Sequence, residues 1–167
     1  MTAVLDRTET IFANPLDLME QLATTHDWLF ERTSDQDLAI EVRGHWCDYR
    51  IFATWHEDAR ALLFACAFDM RIPDFRRRDV GDLLIRINEK LLIGHFDLWM
   101  EDGIPVFRHA VLLRGMQGAS VEQIEDITDI ALAESERFYP AIQFVLWGGK
   151  SPAEAIEAAI LETVGEA

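Results

Sequence analysis

The side chains suited to acid–base chemistry fall in two segments of this 167-residue chain. His95, Asp97 and Arg108 lie in one alternating stretch, and Glu136 and Tyr139 follow further along. An imidazole, a guanidinium and carboxylates in one cleft would serve proton transfer or anion binding. These five residues define one hypothesis, a small-molecule sensor or an enzyme, and it requires that the fold bring them together.

The histidines, cysteines and glycines complete no motif for catalysis or metal binding. None of the five histidines has the HxH or HExxH spacing of a metal site, and Cys47 and Cys66 are not a CxxC pair. No GxSxG nucleophile motif occurs. The run Gly148-Gly149-Lys150-Ser151 lacks the first glycine of a P-loop, because Phe144 stands in its place. The sequence therefore predicts no catalytic residue, no metal and no cofactor.

The charge balance and the apolar pattern restrict the partners. Thirty acidic residues against 15 basic ones give a net charge of −15, which repels phosphate backbones, so nucleic acid is not a predicted partner. No apolar run approaches the roughly 20 residues that span a bilayer, so we predict no membrane association. Met1 to Ala13 lacks the apolar region of a secretory signal. We therefore expect a cytoplasmic protein whose two cysteines are free thiols.

The hydrophobic pattern predicts one α+β domain over residues 14–167, after a loose N-terminal arm at 1–13. Asn14-Pro15 starts the first helix, because Asn can cap a helix and Pro suits its first position. The predicted order is one helix, four strands, a helix, a two-strand hairpin and two helices, with the helices packed against an antiparallel sheet. Pro140 is expected to kink or end the third helix, because proline removes a donor and crowds the preceding turn.

The predicted hairpin of residues 48–56 with 61–70 has apolar side chains on both faces. Pairing Trp55 with Leu62 turns one apolar set toward the core. The opposite face is also too apolar to be wholly solvated, since a sheet with one wet face alternates with polar residues. We therefore expect a helix or another subunit to cover it. The candidate contact residues for a partner or a dimer are Phe52, Leu63, Ala65, Trp99, Val106 and Arg108.

The stretch 94–110 predicts a second hairpin. Asp102-Gly103 suits a two-residue turn, because Gly tolerates positive φ and Asp tolerates it better than most residues. With this turn Asp97 lies directly opposite Arg108, and we expect this structural pair to hold the register. The alternative role for the pair is a substrate clamp.

A basic patch of five arginines, three of them consecutive, interrupts this acidic chain: Arg71, Arg76, Arg77, Arg78 and Arg86. We expect the patch to be solvated and to pair with acidic residues of the same helix, namely Asp74, Asp79 and Asp82. The alternative is a docking point for an acidic partner or for the acidic surface of a second copy.

Six separated segments share a family likeness. They are Gly94-His95-Phe96-Asp97-Leu98-Trp99, Phe107-Arg108-His109, Glu136-Arg137-Phe138-Tyr139-Pro140-Ala141, Phe144-Val145-Leu146-Trp147-Gly148-Gly149-Lys150, Gly44-His45-Trp46-Cys47-Asp48-Tyr49 and Gly165-Glu166-Ala167. Together they resemble the YbjN-domain family of bacterial regulators of sensory transduction, over about residues 14–167. The resemblance implies a fold like the type III secretion chaperones, a curved antiparallel sheet with helices that is commonly dimeric. It implies no known reaction and no catalytic or ligand residues.

We therefore predict a non-enzymatic regulatory or chaperone-like module, a homodimer that captures a protein or peptide partner. Main-chain pairing at an exposed sheet edge, or contacts in an apolar groove, would hold that partner. The alternative remains a small-molecule sensor or an enzyme whose pocket lies near His95, Asp97, Arg108, Glu136 and Tyr139.

Overall fold

The computed structural model of the chain describes residues 14–165, with side chains as far as Leu161. The predicted loose arm at 1–13 lies outside the described residues. The elements follow the predicted order and confirm the α+β class: α1 Pro15–Thr25, β1 Leu29–Arg32, β2 Asp37–Arg43, β3 Asp48–His56, β4 Ala61–Phe68, α2 Arg77–Asn88, β5 His95–Trp99, β6 Ile104–Leu112, α3 Val121–Leu146 and α4 Pro152–Gly165. A short 3-10 turn at Asp74–Arg76 precedes α2.

The six strands form one curved, unclosed antiparallel sheet in the order β1-β2-β3-β4-β6-β5. The predicted β3–β4 hairpin is confirmed, with Trp55 opposite Leu62 and Ile51 opposite Cys66. Strand β6 lies between β4 and β5 and places Phe107 opposite Cys66. The chain leaves the sheet after β4, forms α2, and returns at the edge with β5, so β1 and β5 are the two edge strands.

One face of the sheet, which we call the inner face, packs against the helices and forms the core. Alternate residues point to it because the side-chain period of a strand is two, and Ile51, Phe64 and Phe107 are fully buried there. From α3, the ring of Phe138 packs edge-on against Phe96, with centroids 6.0 Å apart. The apolar side chains of the inner face and those of α3 therefore pack together in one hydrophobic core.

Helix α3 does not end at Pro140, one of the two predicted outcomes, because it runs from Val121 through Pro140 to Leu146. A capping box starts it: the Ser120 hydroxyl accepts the Gln123 N–H, and the Gln123 side chain accepts the Ser120 N–H. Pro140 removes one donor from the helix, but its ring is buried in the core. Tertiary packing of this long apolar stripe outweighs the lost bond, since most helical stability in proteins comes from such packing.

The β5–β6 hairpin keeps its predicted faces, but the predicted two-residue turn is wrong. Residues 100–103 form a four-residue connection, and Asp97 pairs with Val106 instead of Arg108. A shift of two residues leaves every side chain on its face, because the side-chain period of a strand is two. Arg108 Nη1 still reaches Asp97 Oδ2 diagonally, at 3.1 Å.

Contacts from outside the hairpin hold this longer connection. The Gly103 carbonyl accepts the Ile72 N–H at 2.7 Å, and the Arg77 guanidinium donates to the carbonyls of Ile72 and Met100. Gly103 has φ +68°, and a Cβ there would lie 2.6 Å from the Ile72 carbonyl oxygen, so only glycine fits. The turn is therefore set by the segment before α2 and not by the local Asp-Gly signal.

Candidate functional site

The other side of the sheet, which we call the outer face, points away from the helices and carries no helix within residues 14–165. Of the two expected covers, a helix is therefore wrong for this part of the chain, and another subunit stays a prediction. Two of its apolar residues are nevertheless protected from water, since Ala67 is 5% exposed and Val106 0%. Side chains of the same face must therefore supply the cover.

Two aromatic rings, those of Phe52 and Trp99, meet across the centre of the outer face. Phe52 lies on β3 and Trp99 on β5, with β4 and β6 between them. Three strand spacings would separate their backbones by about 14 Å in a flat sheet, yet the ring centroids are 5.7 Å apart. The two side chains therefore lean toward each other across the outer face, and the small side chains of Ala65 and Ala67 between the two strands leave room for the rings.

A groove of about 830 Å³ lies on the outer face beside this aromatic pair, and we call it the outer groove. Its volume falls within the range of ligand pockets. Its apolar lining includes Leu29, Phe52, Ala67, Trp99 and Ile104. Among the described residues, its charged lining has five carboxylates and two guanidiniums: Asp27, Glu41, Asp48, Asp69 and Asp102, with Arg43 and Arg50. The groove thus combines an apolar floor with an acidic rim.

All six residues predicted as partner or dimer contacts lie on the outer face: Phe52, Leu63, Ala65, Trp99, Val106 and Arg108. Five of them, all except Val106, line a smaller cavity of about 230 Å³ that shares Phe52 and Trp99 with the outer groove. Val106 is fully buried and supports the floor without offering a contact. The Arg108 guanidinium is engaged by Asp97. The role of these residues in binding a partner stays a prediction.

The five residues of the sensor or enzyme hypothesis do not meet in one cleft. His95, Asp97 and Arg108 lie on the outer face of β5 and β6. Glu136 and Tyr139 belong to α3, on the inner side of the sheet, where the Tyr139 ring is stacked 6.0 Å from an inner-face phenylalanine ring. The sheet therefore stands between the two groups, and the pocket that this hypothesis requires is not formed.

The β2–β3 loop forms a second cluster, which the sequence analysis did not select as a site. Glu136 Oε1 accepts the His45 N–H at 2.9 Å, and the Trp46 ring stacks on Tyr139 with centroids 6.0 Å apart. A Cβ on Gly44 would overlap Glu136 Oε1. The loop is therefore locked to α3. The sequence feature that could have predicted this cluster is the family likeness, because two of its segments, residues 44–49 and 136–141, meet here.

Both cysteines are free thiols whose pKa is raised. Burial raises the pKa of Cys66 to about 12 and also raises the pKa of the half-buried Cys47. The thiolate is the reactive form of cysteine. Neither side chain is therefore an activated nucleophile.

We expect a thiol reagent at pH 8 to modify Cys47 slowly and Cys66 only when the protein unfolds. The Cys47→Ser variant isolates the buried thiol, and it should stay unlabelled until denaturant is added. Rapid labelling of that variant under native conditions would contradict the burial of Cys66.

The raised pKa of Cys66 also makes the stability of the fold depend on pH. The contribution of this thiol to the free energy of unfolding is fully present below its ordinary pKa of 9.0. It is lost as the pH rises towards about 12, because the thiol ionises more readily in the unfolded chain.

Two further properties concern metal and membrane. Within the part of the chain that the structure describes, no group of three or more His, Cys, Asp or Glu side chains is placed to hold a metal ion. No helix in the same part combines the length and the apolar character that a bilayer crossing requires.

The geometry defines an α+β protein whose antiparallel sheet packs on helices with one face and forms a groove with the other. The family model of YbjN, described as "Putative bacterial sensory transduction regulator", matches residues 15–144. The chain therefore belongs to the YbjN family, in agreement with the resemblance of its sequence segments.

Among solved structures, the chain is similar over almost its whole length to a protein described as "YbjN, a putative transcription regulator from E. coli". It shares 15% sequence identity and a TM-score of 0.53, covering 92% of this chain and 97% of that one. This likeness shows a shared fold. No curated protein matches the chain.

Proposed function

We propose that this protein is a non-enzymatic regulatory module that captures a peptide or a protein segment in its outer groove. The observation that carries the proposal is the groove on a sheet face that no helix within residues 14–165 covers, with the Phe52–Trp99 pair beside it. The family description as a regulator supports the regulatory class. A groove of this volume, with an apolar floor and a charged rim, has the composition of a recognition surface.

The aromatic pair is the expected anchor of the captured segment. Trp99 is partly exposed, and the centre of an interface gains most from large aromatic side chains that a partner desolvates. The Arg50 guanidinium lies over the Phe52 ring, 5.3 Å from its centroid, and adds a charged group beside the apolar contact. An extended segment lying across β4 would therefore place apolar side chains against the two rings.

The proposal includes a homodimer in the cytoplasm. The acidic rim disfavours contact between two outer grooves, because each copy would bring five carboxylates against two guanidiniums. Exposed apolar side chains are available on two helices instead, with Ile85 on α2 and Leu161 on α4. We therefore assign the dimer contact to these helices and leave the outer groove open for a partner.

Selection of peptides from a random display library, followed by titration, tests the proposal. We expect Trp99→Ser to weaken binding of the selected peptides about 30-fold, the effect of losing one central aromatic contact. Trp147→Ser is the matched control, because Trp147 is 71% exposed and lies at the end of α3. It should bind as the wild type does. Equal binding by wild type and Trp99→Ser would refute capture in the groove.

Light scattering on the same variants separates capture from self-association. The proposal expects twice the 19.1 kDa chain mass for wild type and for Trp99→Ser. A dimer that dissociates in Trp99→Ser would place a second copy in the groove and would overturn the proposed arrangement.

A further inference from the structure

We infer that the outer groove selects a basic extended segment, in which an apolar side chain and a Lys or Arg side chain lie two residues apart. The inference rests on the proposed function and names the chemical class of the partner. Three features of the outer face carry it: a pair of opposed carboxylates, the acidic excess of the rim, and the spacing between those carboxylates and the aromatic pair.

Asp48 and Asp69 are the opposed carboxylates. Asp48 begins β3, and Asp69 follows the last residue of β4 and donates its N–H to the Asp48 carbonyl oxygen at 3.1 Å. Both side chains are exposed and share the outer face. Like charges directly opposite each other on a sheet destabilise it. Among the described side chains, no arginine or lysine lies within ion-pair distance of either carboxylate. A cation supplied by a partner would remove this repulsion.

The rest of the rim keeps the excess of negative charge. Of the two guanidiniums in the lining, that of Arg50 lies over the Phe52 ring. Asp102 is 3.9 Å from an exposed arginine, Arg71. Asp27 and Glu41, at the β1–β2 side of the groove, form no ion pair among the described side chains. The potential of the groove therefore favours a positively charged occupant, in line with the net charge of −15 of the whole chain.

The spacing along β4 sets the pattern of the occupant. Ala67 lies in the groove floor beside the aromatic pair, and Asp69 is two residues further along the chain, directly after β4. A strand rises about 3.3 Å per residue, so the two positions are about 7 Å apart. An extended peptide has the same rise and turns residues i and i+2 to one side. An apolar side chain packed against the aromatic pair at the level of Ala67 thus places a Lys or Arg two residues away beside Asp48 and Asp69.

Three fluorescent twelve-residue peptides test the inference by polarisation titration. The first repeats Lys-Ser-Leu-Ser, and the other two replace every Lys by Gln or by Glu. We expect the Lys peptide to bind about ten-fold more tightly than the Gln peptide, the effect of two partly exposed ion pairs, and the Glu peptide to bind most weakly. The preference for Lys should decrease with added salt, because exposed charges are screened.

The double variant Asp48→Asn/Asp69→Asn should bring the affinity for the Lys peptide down to that for the Gln peptide, without changing the latter. Glu125→Gln/Glu157→Gln is the matched control, because it removes two exposed carboxylates from α3 and α4 and changes the net charge equally. The control should keep the preference for Lys, and its loss there would attribute the preference to overall charge and overturn the inference.

Other outcomes separate the inference from the proposed function. If the three peptides bind equally and Trp99→Ser weakens all of them, capture in the groove stands and selection of a basic segment is refuted. If none of the three binds while display-selected peptides of neutral or acidic composition do, the basic class is likewise refuted. If no peptide of any composition binds, both the inference and the proposed function are wrong.

Discussion

Replacing Gly44 by alanine is expected to lower the free energy of unfolding by about 3 kcal/mol, the upper range for overpacking a closed site. The added Cβ would overlap Glu136 Oε1 and the Tyr49 ring, and it would lie 2.6 Å from the Cys47 carbonyl oxygen. That carbonyl accepts the Gly44 N–H at 2.9 Å, so the closest backbone atom is itself held in the loop. The methyl group therefore forces the loop away from α3.

Urea unfolding followed by far-ultraviolet circular dichroism measures this effect. Gly81→Ala is the matched control, since Gly81 lies inside α2 and a Cβ there has no atom within 4 Å. Alanine at that position should raise the free energy of unfolding by about 0.5–1 kcal/mol, because glycine is a poor helix former. A Gly44→Ala protein as stable as the wild type would show that the loop is not locked to α3 as described.

The second large effect is expected at Arg77, whose replacement by alanine should lower the free energy of unfolding by about 2 kcal/mol. Its guanidinium is 20% exposed and lies 2.9 Å from Asp74 Oδ1, but Asp74 is exposed, so this ion pair contributes little. The larger contribution comes from its hydrogen bonds to the carbonyls of Ile72 and Met100. These bonds join the segment before α2 to the β5–β6 connection.

Arg78→Ala provides the matched control in the same basic patch. Arg78 is exposed, and its replacement should change the free energy of unfolding by less than about 0.5 kcal/mol. Equal losses for the two variants would mean that the patch acts through its summed charge.

The difference between Arg77 and Arg78 should also affect peptide binding, because the connection held by Arg77 is flanked by Trp99 and Ile104, which line the outer groove. Peptide capture should therefore weaken in Arg77→Ala and persist in Arg78→Ala.

The basic patch illustrates what local sequence rules can and cannot separate. Of the three predicted acidic partners, Asp79 pairs with Arg76 and Asp74 with Arg77, whereas Asp82 has no ion pair among the described side chains. The charge and spacing of Arg76, Arg77 and Arg78 in the sequence do not distinguish one of them from the others. Only Arg77, however, faces the β5–β6 connection, since the rotation of 100° per residue in a helix turns its neighbours elsewhere. The structural role of that one guanidinium follows from a contact with a segment more than twenty residues away.

Much of the outer face could be predicted from the sequence. The predicted pairing of Trp55 with Leu62 is confirmed, and the same register places the opposed carboxylates of the groove next to each other. Proposing Phe52 and Trp99 for one binding surface was also possible, because both occupy outward positions of predicted strands. Their direct contact was not, since two other strands lie between them and the curvature of the sheet decides the distance.

The sequence by itself determined the order of helices and strands, the residues of the inner face, the helix start at Asn14, and membership of the YbjN family. These properties depend on periodicity and capping, which act between residues close in the chain. The tertiary structure alone decided the register of β5 with β6, the continuation of α3 through Pro140, and the separation of Glu136 from Arg108. Each of these depends on packing between distant segments, whose free energy exceeds that of the local preference it overrides.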